Sequence, residues 1–151
     1  MMALQVGMAC KKVFFDRAAV TRRVDRATRR VLSRFGAYVR TAARSGIRSR
    51  KAVSEPGRPP SSHTGLLKRL IFFAYDPQRE TVVIGPLPLN RKVGNVPEAL
   101  EYGGPSVVAE GPRRGRRRRR RVTVRARPFM RPAFEKERPK LPAMWRDSVK
   151  A

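Results

Sequence analysis

The chain predicts an α+β fold in which a long N-terminal helix packs on an antiparallel sheet of about four strands, with a C-terminal helical segment closing it. Three observations lead there. Apolar residues recur every three or four positions from Val20 to Ala42, as one face of a helix requires. Two pairs of short β-rich segments then flank turn residues, and the last quarter holds helix-forming sequence broken by prolines. At 151 residues the chain can bury one modest core, so a single domain spanning residues 1–151 is expected.

Asp16 is placed to accept hydrogen bonds from the free N–H groups of a helix start. Beyond it Val20, Val24, Ala27, Val31, Phe35, Tyr38 and Ala42 set a helix running roughly from Arg17 to Arg44, with Arg22, Arg23, Arg26, Arg29, Arg30 and Arg34 on its outer side. Gly36 sits inside it and implies a bend or a close packing contact. Residues 49–63 then form a long loop, because Pro56, Gly57, Pro59 and Pro60 exclude both helix and central strand.

Leu70 to Tyr75 is apolar on both sides and aromatic-rich, which predicts a strand covered on both faces. Pro77 suits a turn, and the β-branched run Thr81 to Gly85 makes the returning strand of a hairpin. Pro97 opens and Gly103 stops a short helix. A second, basic hairpin is expected over residues 105–127, since Val122 and Val124 alternate with polar neighbours; Gly111, Pro112 and Gly115 mark its reversal. Its tip, residues 111–121, carries Arg113, Arg114, Arg116, Arg117, Arg118, Arg119, Arg120 and Arg121. After Pro128 and Pro132 a short helix is expected, followed by a kink or second segment at Pro139 and Pro142. Phe72, Phe73, Val83, Val124, Phe129 and Phe134 are the residues expected in the core or at a subunit seam.

A formal charge of +25 exceeds what solubility requires, and it is not confined to the arginine run: the first half of the chain carries only Asp16, Asp25 and Glu55 against its many basic side chains. Self-repulsion of that size predicts an assembly component stabilised by acidic partners or nucleic acid. Cys10 stands alone, so no intrachain disulfide forms. Lys11 and Lys12 interrupt the first apolar patch before any spanning length, so neither a signal peptide nor a membrane helix is expected.

Three separated signatures, "HTGLLKRLIFF" at 63–73, "ALEYGG" at 99–104 and "ARPFMRPAFEK" at 126–136, resemble in order and surroundings the tail-completion, or head-to-tail neck, proteins of lambda-like long-tailed bacteriophages and prophages. The resemblance covers most of the chain from the long helix to about residue 138, and its last motif is the most specific. Family members often show Arg-Thr-Gly-x-Leu-x-x-Ser where this chain has His63-Thr64-Gly65-Leu66-Leu67-Lys68-Arg69-Leu70, and the arginine tip is this chain's own elaboration. The resemblance implies a virion subunit, assembled in the bacterial host cytoplasm, that forms a ring, sixfold, at the head-proximal end of the tail. Such a ring surrounds the DNA channel. Its implied partners are copies of itself, the head-tail connector and tail-tube or tail-terminator proteins, with no membrane.

The eight arginines are candidates for contact with DNA or a partner protein, because guanidinium forks match phosphate oxygens and release counterions without reading sequence. Glu101, Tyr102, Arg127, Phe129 and Arg131 are candidate subunit-interface residues; the plainer expectation is that Phe129 and Met130 anchor a helix and that Glu101 and Tyr102 pack and pair at a helix end. His63 with its flanking serines lacks a nucleophile-elbow pattern, phosphate-loop and dinucleotide fingerprints are missing, and carboxylates are scarce. No enzyme activity, cofactor or metal is therefore expected. The alternative to a virion subunit is a general nucleic-acid-binding protein, ribosome- or nucleoid-associated. Covered aromatics Phe72 and Phe73 would argue against base stacking on an open sheet.

Overall fold

The computed structural model describes residues 16–88, 95–109, 119–146 and Ser148. Cys10 and the tip arginines Arg113, Arg114, Arg116, Arg117 and Arg118 lie outside the described residues. Helix α1 spans Arg17–Gly46, and the Asp16 carboxylate caps it by accepting from the Ala19 N–H at 2.9 Å. Its buried stripe is Ala27, Thr28, Val31, Phe35, Gly36, Val39 and Ala43, so the expected periodicity holds from the third turn onward. Val20 and Val24 are exposed instead, and Tyr38 leans out beneath Arg34, whose Nε donates to its hydroxyl at 3.0 Å.

The α+β class, the long first helix and the C-terminal helical segment are all present. The expected four strands are divided into two separate antiparallel hairpins, each of two strands, rather than joined edge to edge. Strand β1, Ile71–Asp76, pairs with β2, Thr81–Pro86, so that Phe73 lies opposite Ile84 and Tyr75 opposite Val82. Those four residues, with Ile71, share the side turned to α1. Gly36 makes that approach possible: a Cβ there would stand 2.8 Å from Val82 Cγ2 and 2.9 Å from the Phe73 ring. The close-packing expectation for Gly36 is met.

Helix α2, Leu66–Arg69, runs directly into β1 and buries Leu67. Helix α3, Val96–Tyr102, precedes strand β3, Gly104–Ala109, which pairs with β4, Arg119–Val124. Helix α4, Met130–Glu137, passes through a 3-10 turn at Arg138–Lys140 into α5, Leu141–Arg146, as the prolines required. The core gathers Phe35, Val39, Ala43 and Ile47 of α1 with Leu67, Ile71, Phe129 and Ala133. Phe35 meets Phe134 edge to face at 5.8 Å. Residues from all three signature segments thus enter one cluster: Leu67 and Ile71 from the first, Phe129 and Ala133 from the third, with Leu100 of the second packed against it.

Candidate assembly surface

Glu101 joins α3 to the start of α4. Its carboxylate accepts from the N–H groups of Phe129 and Met130 through Oε2, at 2.8 and 3.0 Å, and from Arg131 N–H through Oε1 at 2.8 Å. Phe129, at the position before α4, has no capping side chain of its own, so a carboxylate 28 to 30 residues upstream supplies the missing acceptor. Three donors and the positive end of the helix are satisfied together. The pairing expected of Glu101 at a helix end is made with backbone N–H groups.

Arg127 closes the same junction. Its N–H donates to Leu100 O at 2.6 Å and its Nε to Ser54 O at 2.9 Å, while Gly57 N–H donates to Ala126 O at 2.9 Å. The 49–63 loop is thereby tied to the segment between β4 and α4. Of the five interface candidates, Glu101, Arg127 and Phe129 are engaged inside the chain, with Phe129 2% exposed. Arg131 is exposed and its side chain pairs with Glu135 at 3.1 Å; Tyr102 stands out at 78% exposure.

The β3–β4 hairpin is an arm. Among the described residues only α3 packs against it by more than marginal contact, and at its base Gly103, at φ 76°, comes so close that a Cβ there would stand 3.1 Å from both Val124 O and Ala126 N. Arg119, Arg120 and Arg121 belong to β4 and not to the tip as expected: Arg120 lies opposite Val108 and Arg121 opposite Val107. The ladder extends into the arginine run because antiparallel pairing needs only backbone, and a solvated arginine suits an exposed strand position. Both Arg120 and Arg121 are exposed. Val122 and Val124 are half-buried, on the same face as Arg120.

The β1–β2 hairpin corrects a second expectation. It is covered on one face only: Phe72 is 45% and Val83 65% exposed on the side away from α1. Phe72 lies opposite Gly85, Ala74 opposite Val83 and Asp76 opposite Thr81, so an apolar patch ends in a carboxylate. Arg40 of α1 reaches the patch, donating from Nε to Ile71 O at 2.9 Å with its guanidinium 5.8 Å from the centre of the Phe72 ring. Phe134 is exposed too, while Phe73 and Val124 are half-buried; of the six residues expected in the core or at a seam, only Phe129 is fully enclosed.

A groove of about 710 Å³ opens between α1, β2, α3 and α4, walled by Val39, Val82, Ile84, Phe129 and Met130, with Glu98 and Tyr102 among its other lining residues. Among the described residues its carboxylates are Glu101, committed to the α4 start, and Glu98, which accepts from Asn95 at 2.8 Å. His63 is exposed on the long loop, and among the described residues no three His, Cys, Asp or Glu side chains gather to hold a metal ion. Among the described residues, likewise, no helix is long and apolar enough to cross a membrane. Sequence reasoning missed the clasp of Arg127 on Ser54, 73 residues apart, for which no local pattern exists. The Arg40 contact with β1 left one trace, an arginine set at the edge of the apolar stripe of α1. No family model, curated protein or solved structure matches the chain.

Proposed function

We propose that this chain is a structural subunit of the joint between a phage head and its tail, forming with further copies, six in the closed ring, a collar around the DNA channel. In this reading the subunit is not an enzyme; it is built into the virion after assembly in the bacterial cytoplasm, with connector and tail-tube or tail-terminator proteins as its other neighbours. One observation carries the assembly part: an apolar sheet face is left open on a chain of charge +25. Cover supplied by neighbours would bury that face, and like charge disfavours the isolated subunit, so assembly answers both. The resemblance of the three signatures names the assembly. It is supported by their meeting in one core, where the Glu101 of one caps the helix opened by another.

A general nucleic-acid-binding role gains one observation of its own. Phe72 is open to solvent beside Arg40, the aromatic and guanidinium pairing that stacks on unpaired bases. Native mass measurement and electron imaging of the purified protein separate the two readings. Closed rings with a central opening wide enough for duplex DNA are expected. A protein that stays monomeric at every concentration, and binds single strands with loss of affinity on Phe72→Ala, overturns the ring.

A further inference from the structure

The two hairpins are complementary in a way that neither satisfies within its own chain. Each is built of six-residue strands, about 20 Å long. The β3–β4 arm leaves the body with only its base packed on α3, and an isolated two-stranded hairpin is marginal in water without something on its face. The β1–β2 hairpin has the opposite deficit: firmly seated on α1, it offers an uncovered patch of Phe72, Ala74 and Val83. Charge follows the same division. Arg120 and Arg121 flank the arm's far end, whereas Asp76 closes the open patch and the exposed Glu80 stands in the turn beside it.

Acidic groups are scarce in this chain, and most of the described ones have work elsewhere. Glu55, Glu135 and Glu137 pair with Arg58, Arg131 and Lys140; Glu101 caps α4 and Asp16 caps α1. Among the described residues no ion pair uses Asp76 or Glu80, although Asp76 also accepts from the turn N–H groups of Gln78 and Arg79. Asp76 and Glu80, with Arg79 between them in the turn, set two carboxylates at the end of an apolar face on a molecule otherwise strongly basic, a docking address for the molecule's own basic arm.

We infer that the β3–β4 arm of one copy lies across the open β1–β2 face of the next, Val122 and Val124 covering Phe72 and Val83 while Arg120, on the same side of the arm, meets Asp76 and Glu80. The inference rests on the assembly reading above and specifies its contact. Arm and face are different surfaces, so the contact is head-to-tail: it propagates from copy to copy and closes into a ring when the rotation permits. The same contact covers the apolar patch, gives the arm a second layer and places Arg120 of each subunit beside its neighbour.

Charge reversal tests it on exposed positions that the fold does not need. An arm variant, Arg120→Glu, and a face variant, Glu80→Arg, are each expected to self-associate about tenfold more weakly than the unaltered chain, because the contact then sets like charges together. Mixed in equal amounts they regain assembly, since acidic arms now find basic faces and basic arms find acidic ones, and the two variants alternate in the product. Phe72→Ser with Val83→Ser weakens assembly while the core cluster stays intact. Sedimentation and native mass measurement read all three. Assembly of either reversed variant at unaltered strength, or a mixture that stays apart, overturns the arm-on-face contact while leaving the ring intact. Loss of DNA binding in the arm variant with assembly unchanged overturns it also, and assigns the arm to phosphate. An unaltered chain that never self-associates defeats the ring reading itself.

Discussion

The two hairpins have the same strand length and the same antiparallel ladder, and they differ in what lies against them. In β1–β2, α1 covers one whole face, and Gly36 lets the helix backbone come close enough for Val82 and Phe73 to reach it. In β3–β4 the ladder stands almost alone, fixed only at its root by α3, Gly103 and the Arg127 N–H. Each ladder pairs six residues with six. What separates a core element from an arm here is apolar cover, because ladder bonds largely replace bonds to water while buried side-chain area is a net gain.

That contrast is broken most severely at Phe129, which α1, α2, β1 and α4 enclose together. Phe129→Ala removes the ring from a fully buried site and is expected to cost about 3–5 kcal/mol in urea unfolding, enough to unfold a marginal body. If the body were held chiefly by its arm, the midpoint would move little. Because the variant can fail to fold, Phe129→Leu supplies the graded form, with a smaller loss in the same direction.

The body was legible in the sequence because its periodicities are local. The stripe from Ala27 to Ala43 has a helical period, and the hairpins announce themselves through Pro77 and through Val122 and Val124. The faces of β1 were misread for a physical reason: a run apolar on both sides needs cover on both, yet composition does not say whether the second cover comes from the same chain. The arginine run hid the start of β4 in a similar way, since uniform side chains carry no alternation and Arg119 to Arg121 look like the tip beside them. Glu101 could be placed at a helix end but not matched to its partner, because its acceptors serve backbone N–H groups near Phe129 that have no sequence signature. Separation into two sheets was equally silent, as edge pairing between hairpins depends on how each is seated on the body.

Glu101 tests how far arm and body are coupled, since it ends the helix from which β3 departs and holds the start of α4. Glu101→Ala leaves three N–H groups without a carboxylate and is expected to cost about 2–3 kcal/mol, more than an ordinary cap because the acceptor is charged and shared. Glu101→Gln keeps one oxygen acceptor and recovers part of that. Hydrogen exchange locates the loss: the amides of Phe129, Met130 and Arg131 speed up first, ahead of those of α1. Equal acceleration throughout the chain would mean that the clasp is not a local feature.

The smallest effect is the sharpest measure of the arm's independence. Val122 is half-buried on the arm, opposite Ser106, away from the cluster that holds the body together. In dilute solution, where copies stand apart, Val122→Ser is therefore expected to change the unfolding free energy by no more than about 0.5 kcal/mol. At concentrations where copies associate, the same substitution removes apolar cover from the neighbour's face and lowers the apparent stability in proportion to the lost binding. A stability loss that is large and independent of concentration would place Val122 in the folding core, and the arm would then be an ordinary part of the body. A loss that grows with concentration separates what the chain builds for itself from what it builds for its neighbour.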